Sequence, residues 1–578
     1  MRIYPNRHWV VCALYFIVSV LLTWPIFINL KSHLFCAYGD CFGTVWEMWV
    51  RNNPQLQTKD MLLAVPFNKA VISSGSIPVL RLIMDIPTAF FGEIVAHNIV
   101  ILLSFSLTSF TSYLLIYYLL RRSLPAFVGG LIFGFCPGVV MSAVAGHLSF
   151  TFNMFIPLFL LALFNNSKKR TLVSAFYVAL SYALLTLTSL YFGFFSLFIA
   201  LLFVIYDYLT SKDCIPKRLL FNYIFAALIA FVMIIPFQFE IILHIISTSH
   251  VELATTGRIH EYKRLISSAA SVLDYLLPSI DHPVLGRFIG DMIGIHLQSG
   301  NLFARTLYLG FTPLLLSLAG FFLWSKRHYS LESRRYFLFF SAGAVLMIFF
   351  SLPPFIYWGY IKVPTLSHFM YGIAPMFRVY ARFGILANLF MAVTAAVVLS
   401  ELSDRIEKAK YVLLLTALLP ALIFEYWSVP PYYAKDVSET PAVYQWLAGE
   451  PDDTIIAEYP MMEYNKASFY TYLFWQRIHR KRMVNGAAPL NKEAWDFYQQ
   501  VKDLSSDETP QLLRTAGVRY IIIHKKIYQD GDIPEPLKRY HPAVFSKMQY
   551  NGGKVPMHTL LNKPFKVFGD DSVYRLDH

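Results

Sequence analysis

About eleven apolar segments, separated by short basic loops and by three long loops, most constrain how this chain can fold. The hydrocarbon core of a bilayer needs roughly 20 apolar residues per helix, and each segment approaches that length. The pattern predicts a mainly α fold, a polytopic bundle of transmembrane helices. The segments are 9–29, 97–120, 124–143, 148–164, 171–188, 190–208, 219–239, 305–324, 336–353, 383–400 and 411–428.

The basic residues of the short loops predict the orientation of these helices. The chain has a net charge of +13, and loops on the cytoplasmic side retain an excess of Lys and Arg. This accounts for the charge without a nucleic-acid partner, and it places the N-terminus inside and the C-terminus outside. The basic runs lie at 121–122, 168–170, 217–218, 326–327 and 334–335.

Three long segments are then predicted to lie on the outer side. The first two, 30–96 and 240–304, are loops of a membrane domain that covers residues 1–428. The third, 429–578, has the composition of a soluble domain. Its strand-like runs 454–458 and 520–524 alternate with the helix-like stretches 441–449 and 508–516, which predicts a small external α/β domain.

The first long loop contains the best catalytic candidates, on a short predicted helix that begins at Asp40. Its apolar face, predicted to lie at the membrane interface, holds Phe42, Val45, Trp46 and Trp49. Its polar face, predicted to meet water or a cavity, holds Asp40, Thr44, Glu47 and Arg51. Asp40 is either a general base or only the N-cap of this helix. Cys36 and Cys41 are either a disulfide or two free thiols.

Other polar residues are predicted at the same face. His147 lies in the turn between the third and fourth spans, either as a structural or a substrate-binding residue. Arg378 and Arg382 are four apart on one predicted helical face, where they either grip a phosphate or reach lipid headgroups. Tyr191, where the stretch 171–208 is divided, and His282, in the second long loop, complete the substrate-binding candidates.

Taken in order, these residues resemble a family. The chain resembles the GT-C superfamily of polytopic membrane glycosyltransferases, and in particular bacterial YfhO-like proteins. In such enzymes an acidic residue of the first external loop acts as base and the donor is a polyprenyl-phosphate sugar. The resemblance rests on Gly39-Asp40 with its Trp-rich helix, Ala96-His97-Asn98, Gly146-His147 with Pro157, Pro278 to Pro283, Phe377 to Gly384, Asn485-Gly486 and Gly517 to Tyr520.

The resemblance implies roles for these residues: Asp40 as base, with Arg378 and Arg382 on the donor phosphate. The first loop lacks the adjacent acidic pair of several members, which leaves Glu47 as a second carboxylate and metal dependence open. The implied partners are a polyprenyl-phosphate sugar donor, a glycan, lipid or protein acceptor, and membrane lipids. A divalent metal is possible, no other cofactor is implied, and the implied location is the bacterial cytoplasmic membrane.

Two other classes of function are compatible with the sequence. A transporter or flippase of a lipid-linked saccharide would be expected to place ionisable residues in mid-membrane, whereas these spans contain few. A non-catalytic envelope-assembly protein would bind glycan through the outer domain. Only an enzyme would consume a labelled polyprenyl-phosphate sugar.

Overall fold

The computed structural model describes most of the chain. The described residues are 5–36, 39–58, 62–67, 77–210, 217–247, 262–279, 282–286, 302–325, 329–358, 360–427, 434–462, 467–487, 492–530 and 563–576. Much of the predicted loop 240–304 therefore lies outside the described residues.

The described chain is mainly helical. Its helices in the first 427 residues are Pro5–Leu22, Asp40–Asn52, Gln55–Thr58, Pro78–Phe91, Glu93–Leu120, Ser123–Gly134, Pro137–Val144, Leu148–Thr151, Phe155–Lys169, Leu172–Thr188, Leu190–Thr210, Lys217–Ser247, Tyr262–Ser267, Leu302–Arg305, Phe311–Ser325, Leu331–Ser351, Leu366–Ile373, Phe383–Arg405 and Lys408–Tyr426, with 3-10 turns at Ile26–Ile28, Val272–Tyr275 and Tyr380–Arg382.

Seven helices in the described part of the chain are long and apolar enough to cross a membrane, or eight if one bent pair counts as a single span. That pair, Ser123–Gly134 and Pro137–Val144, bends by 41°. Three further apolar helices are shorter: His8–Leu22, Leu172–Thr188 and Phe311–Ser325. Every predicted segment thus contains an apolar helix, and the division of 171–208 at Ser189 is confirmed. A total of eleven membrane spans stays a prediction.

The helix Phe383–Arg405 lies at the centre of the bundle. Its most apolar stretch is completely enclosed by protein, whereas that of Lys217–Phe239 is only 22% buried. It packs chiefly against the helices Leu331–Ser351 and Ser123–Gly134. Helices on the outside expose large apolar side chains such as Leu228 and Phe231, as expected of surfaces in contact with lipid.

The last part of the chain forms a five-stranded sheet. Its strand order is Arg482–Met483, Ile455–Tyr459, Val518–His524, Asp571–Arg575 and Lys566–Phe568; the first three strands are parallel and the last two antiparallel. The predicted strands and helices are confirmed, and a domain boundary at residue 429 stays a prediction. The helices are Ala442–Ala448, Ala467–His479, Lys492–Val501, Thr509–Thr515 and Lys525–Asp530.

The helix Asp40–Asn52, which we call the loop helix, packs against Ala467–His479, the covering helix. The indole of Trp46, 1% exposed, donates a 2.8 Å hydrogen bond to Gln476, and Phe42 contacts Phe474. The prediction that this apolar face lies at the membrane interface is therefore wrong. The face is covered by protein, because residues more than 400 positions later bring a second apolar helix to it.

Candidate active site

Asp40, His147 and Arg382 form a chain of hydrogen bonds. His147 Nε2 lies 2.6 Å from Asp40 Oδ2, and its Nδ1 lies 2.9 Å from Arg382 Nη2. Because a guanidinium can only donate, Nδ1 accepts and the proton lies on Nε2, which donates to Asp40. The Asp40 side chain remains 42% exposed and that of His147 24%, so the chain of contacts ends at an accessible carboxylate.

The local backbone explains why Asp40 meets His147. Gly146 has a φ of +78°, and a Cβ atom there would lie 2.3 Å from the backbone nitrogen of Cys41. Only glycine allows both this conformation and this approach. Gly39, with a φ of +73°, makes the corresponding turn before the loop helix. The two glycines therefore bring the start of the loop helix onto the turn that carries His147.

Arg382 is held below this contact and is only 2% exposed. It also donates to the hydroxyl of Ser142, and its guanidinium lies 4.4 Å from the centre of the Phe150 ring. Its Nε atom is buried without a hydrogen-bond partner among the described residues. A buried guanidinium with this set of contacts holds the imidazole in one orientation and brings positive charge close to Asp40.

Arg378 and Arg382 do not share a helical face, so that prediction is wrong. Residues 374–379 are irregular, and only a 3-10 turn, Tyr380–Arg382, precedes the long helix. The backbone here does not form a regular α-helical turn: Arg382 N–H donates to the Val379 carbonyl, and Ala381 N–H donates to the distant Ser268 carbonyl. The two side chains consequently have different surroundings.

Tyr191 lies beside this irregular segment. Its hydroxyl accepts a 3.4 Å hydrogen bond from the backbone N–H of Arg378, and its ring packs against Phe150 and Phe377. The Arg378 side chain is half-buried, and its guanidinium makes no hydrogen bond or ion pair within the described residues. The structure thus gathers Asp40, His147, Tyr191 and both arginines into one region.

Glu47 lies on the same polar face of the loop helix as Asp40. Thr44, Glu47 and Arg51 are each half-buried like Asp40, which confirms the predicted polar face. Glu47 pairs with Arg51 at 3.5 Å. Although its side chain is 34% exposed, loss of water and the nearby Asp40 raise its pKa, against the opposing charges of Arg51 and Arg81. A second catalytic carboxylate at Glu47 stays a prediction.

The His282 imidazole bonds to backbone groups away from Asp40. Its Nε2 donates to the Phe424 carbonyl at 2.6 Å, and its Nδ1 accepts from the backbone of Val284 and Leu285. Burial lowers the pKa of this imidazole. Every contact described for His282 is therefore structural, and the contacts of the Asp40 site do not include it. Its neighbour Asp281 lies outside the described residues.

The described residues do not gather three or more His, Cys, Asp or Glu side chains at one point in a way suited to a metal ion. His147 bonds to Asp40 through one ring nitrogen and to Arg382 through the other, and the guanidinium disfavours a second positive charge nearby. A divalent metal at this site stays a prediction.

Two further features hold the first long loop in place. The Asn98 side chain donates to the carbonyls of Leu30 and His33 and accepts from the backbone N–H of Phe35. Cys36 and Cys41 are joined in a disulfide just before the loop helix. Of the two alternatives for these cysteines, the structure therefore contains the disulfide and not two free thiols.

Ser142 and Phe150 were not identified as site residues by the sequence. Ser142 is a single hydroxyl in a buried apolar helix, and Phe150 is one of 50 phenylalanines. Nothing in their local sequence distinguishes them from packing residues. Only the position of Arg382, 240 residues after Ser142, gives them a role at the site.

The fold is that of GT-C glycosyltransferases. The arabinofuranosyltransferase AftD from Mycobacteria aligns with a TM-score of 0.51 and 14% identity, over 91% of this chain and 37% of AftD. The oligosaccharyltransferase of Archaeoglobus fulgidus in its apo form aligns with a TM-score of 0.50 and 12% identity, over 94% of this chain and 71% of the other. At these identities the likeness concerns the fold alone, and this chain spans little more than a third of AftD.

By sequence, the chain belongs to the family described as a domain of unknown function, DUF6311, whose family model matches residues 43–421. The narrower resemblance to YfhO-like proteins is not confirmed. No curated protein matches the chain by sequence.

Proposed function

We propose that this protein is a membrane glycosyltransferase that takes a sugar from a polyprenyl-phosphate donor. The observation that carries the proposal is the hydrogen-bonded chain of Asp40, His147 and Arg382. It joins an accessible carboxylate to a buried cation within a fold shared with other sugar transferases. Its acceptor is a glycan, lipid or protein hydroxyl at the outer face of a bacterial cytoplasmic membrane.

In this reaction Asp40 acts as general base. The acceptor oxygen attacks the anomeric carbon of the sugar, the bond from that carbon to the phosphate oxygen breaks, and the acceptor proton passes to Asp40. His147 occupies one carboxylate oxygen and orients the other toward the acceptor. Such a positioned base typically contributes about 10²–10⁴-fold to the rate.

The departing lipid phosphate needs positive charge. Arg378 supplies it most directly, because its guanidinium is half-buried and has no ion pair among the described residues. Arg382 adds charge from its buried position while its contacts hold His147. Tyr191 fixes the backbone of Arg378 and so positions this residue for the donor.

The proposal is tested by replacing Asp40 with Asn, which keeps size and can still cap a helix. We expect Asp40→Asn to insert and fold normally while transfer from a labelled polyprenyl-phosphate sugar falls by about 10²–10⁴-fold. Release of polyprenyl phosphate from a panel of donors is the measurement. The matched control is Asp453→Asn, an exposed carboxylate beside the sheet. Equal turnover in Asp40→Asn and the parent would contradict the assignment.

A transporter or an envelope-assembly protein would give a different result in the same assay. Neither would release polyprenyl phosphate from any donor, even in the parent protein. Failure of the parent with the complete donor panel would therefore count against an enzyme of this class, whereas a normal Asp40→Asn variant would count only against this base.

A further inference from the structure

An exposed apolar hairpin precedes the segment that carries Arg378 and Arg382. Its strands Phe355–Trp358 and Ile361–Pro364 pair antiparallel and are followed by the helix Leu366–Ile373. We call the exposed apolar residues of the hairpin and of this helix the hairpin surface; its main members are Ile356, Tyr357, Tyr360, Ile361, Phe369 and Ile373. Tyr360 is completely exposed, and Ile373 is 78% exposed.

This exposure is unusual for a hairpin in water. Every residue of Ile361–Pro364 is exposed, so neither face of this strand packs on a core. An apolar strand of this kind in solution is a site of aggregation, and a large apolar patch marks a contact with protein or membrane. The hairpin surface therefore requires a partner.

The position of the hairpin indicates what that partner is. It follows the helix Leu331–Ser351, whose exposed residues Leu338, Val345 and Phe349 recur at helical spacing. That stripe has the character of a lipid-facing surface and ends immediately before the hairpin. Because the hairpin continues this apolar helical surface, we expect the same lipid bilayer to contact both.

The chemistry of the hairpin suits the boundary between acyl chains and headgroups. The two-stranded hairpin has two open edges, and the hydrated headgroup layer can satisfy their backbone groups, whereas the acyl chains cannot. Tyrosine rings also favour this layer. Lys362 also lies here, with its ammonium 3.8 Å from the Phe355 ring, where it can meet anionic headgroups.

The hairpin is tied to the segment that follows the helix Leu331–Ser351. The Thr365 hydroxyl donates to the Pro353 carbonyl, and the Ser367 hydroxyl donates to the Leu352 carbonyl. The helix after the hairpin ends at Ile373, five residues before Arg378. We propose that the hairpin surface lies in the lipid interface on the side of the membrane where Asp40 lies. This proposal does not depend on the proposed transfer reaction.

The test uses environment-sensitive fluorophores on single cysteines in nanodiscs. Cys12, Cys136 and Cys214 are first replaced by Ala, and the Cys36–Cys41 disulfide is retained. Tyr357→Cys and Ile361→Cys are labelled separately, so that failure of one variant to fold leaves the other. Leu228→Cys, on an exposed apolar helix face, and Gln511→Cys, on the exposed surface of the sheet region, are the controls.

We expect spin-labelled phosphatidylcholine to reduce the fluorescence at Tyr357→Cys and Ile361→Cys as it does at Leu228→Cys, while aqueous iodide affects mainly Gln511→Cys. Quenching by iodide and not by spin-labelled lipid would overturn the proposal. Protection from both quenchers together with cross-linked dimers would also overturn it, and would assign the surface to a second copy of the chain.

Discussion

Gly146 decides whether the candidate base and its imidazole can meet. A side chain at this position would collide with the backbone of Cys41 and would have to adopt a φ of +78°. Asp40 follows the Gly39 turn and immediately precedes Cys41, so any displacement there moves the carboxylate. The contact of 2.6 Å between Asp40 and His147 thus depends on a residue with no functional group.

We expect Gly146→Ala to lower both stability and transfer. A non-glycine residue in a left-handed conformation costs about 1–2 kcal/mol, and the collision with Cys41 adds to this. Thermal unfolding in detergent and the transfer assay are the measurements. Gly372→Ala is the matched control, because a Cβ there meets nothing within 4 Å. A Gly146→Ala variant as stable and active as this control would show that the close approach is unimportant.

His524 is a second informative residue, in the sheet region. It is buried, which favours the neutral form, but its hydrogen bonds to Asp571 and Glu458 outweigh burial and raise its pKa to about 9. The unfolded value is about 6.5. The stabilisation from the charged imidazole is therefore complete below about pH 6.5 and is lost as the pH rises through about 9.

We predict that the unfolding temperature of the sheet region falls between about pH 7 and pH 9.5. His524→Gln, which cannot gain the proton, should be less stable at pH 7 and should lose this part of the pH dependence. Circular dichroism of both proteins over that range is the measurement. Parallel curves for parent and variant would mean that His524 does not titrate in this window.

At the scale of elements, the contact between the loop helix and the covering helix connects the two ends of the chain. Gln476 bonds to Trp46 and also donates to the carbonyls of Leu62 and Lys481. Arg477 pairs with Glu93, at the start of the second apolar helix. The helix that carries Asp40 is therefore held from the sheet region as well as from the bundle.

We expect Gln476→Ala to destabilise the protein and to reduce the rate of transfer. It leaves a buried indole N–H and two carbonyls without their partner, and each unsatisfied group costs about 1–3 kcal/mol. Because the donor site is on other elements, kcat should fall more than the donor KM rises. Gln499→Ala, at an exposed position, is the control. If Gln476→Ala lowered stability but left kcat unchanged, the contact between Gln476 and Trp46 would have only a structural role.

At the scale of the whole molecule, reporter fusions test the orientation of the chain in the membrane. The basic loops predict a C-terminus on the outer side. A C-terminal alkaline phosphatase fusion should be active and a green fluorescent protein fusion dark, with the reverse for fusions after Lys169 in a predicted inner loop. An inner C-terminus would place Asp40 and the sheet region on the cytoplasmic side, and would remove the proposed outer-face reaction.

The sequence by itself determined the apolar helices, the sheet elements and the polar face of the loop helix. These features follow from local periodicity, because the spacing of polar and apolar residues predicts which side of a helix or strand is exposed. It also placed His147 and the arginine segment near one end of the bundle, because alternating spans bring alternate loops together.

Only the tertiary structure decided what those residues touch. Trp46 is buried against Gln476 and is not placed in lipid, because a helix 430 positions away packs on it. The separate environments of Arg378 and Arg382 depend on tertiary hydrogen bonds that replace a helical turn. The structural use of His282 depends on the Phe424 carbonyl. Contacts between residues far apart in the chain have no local signature, because they arise from the packing of whole elements.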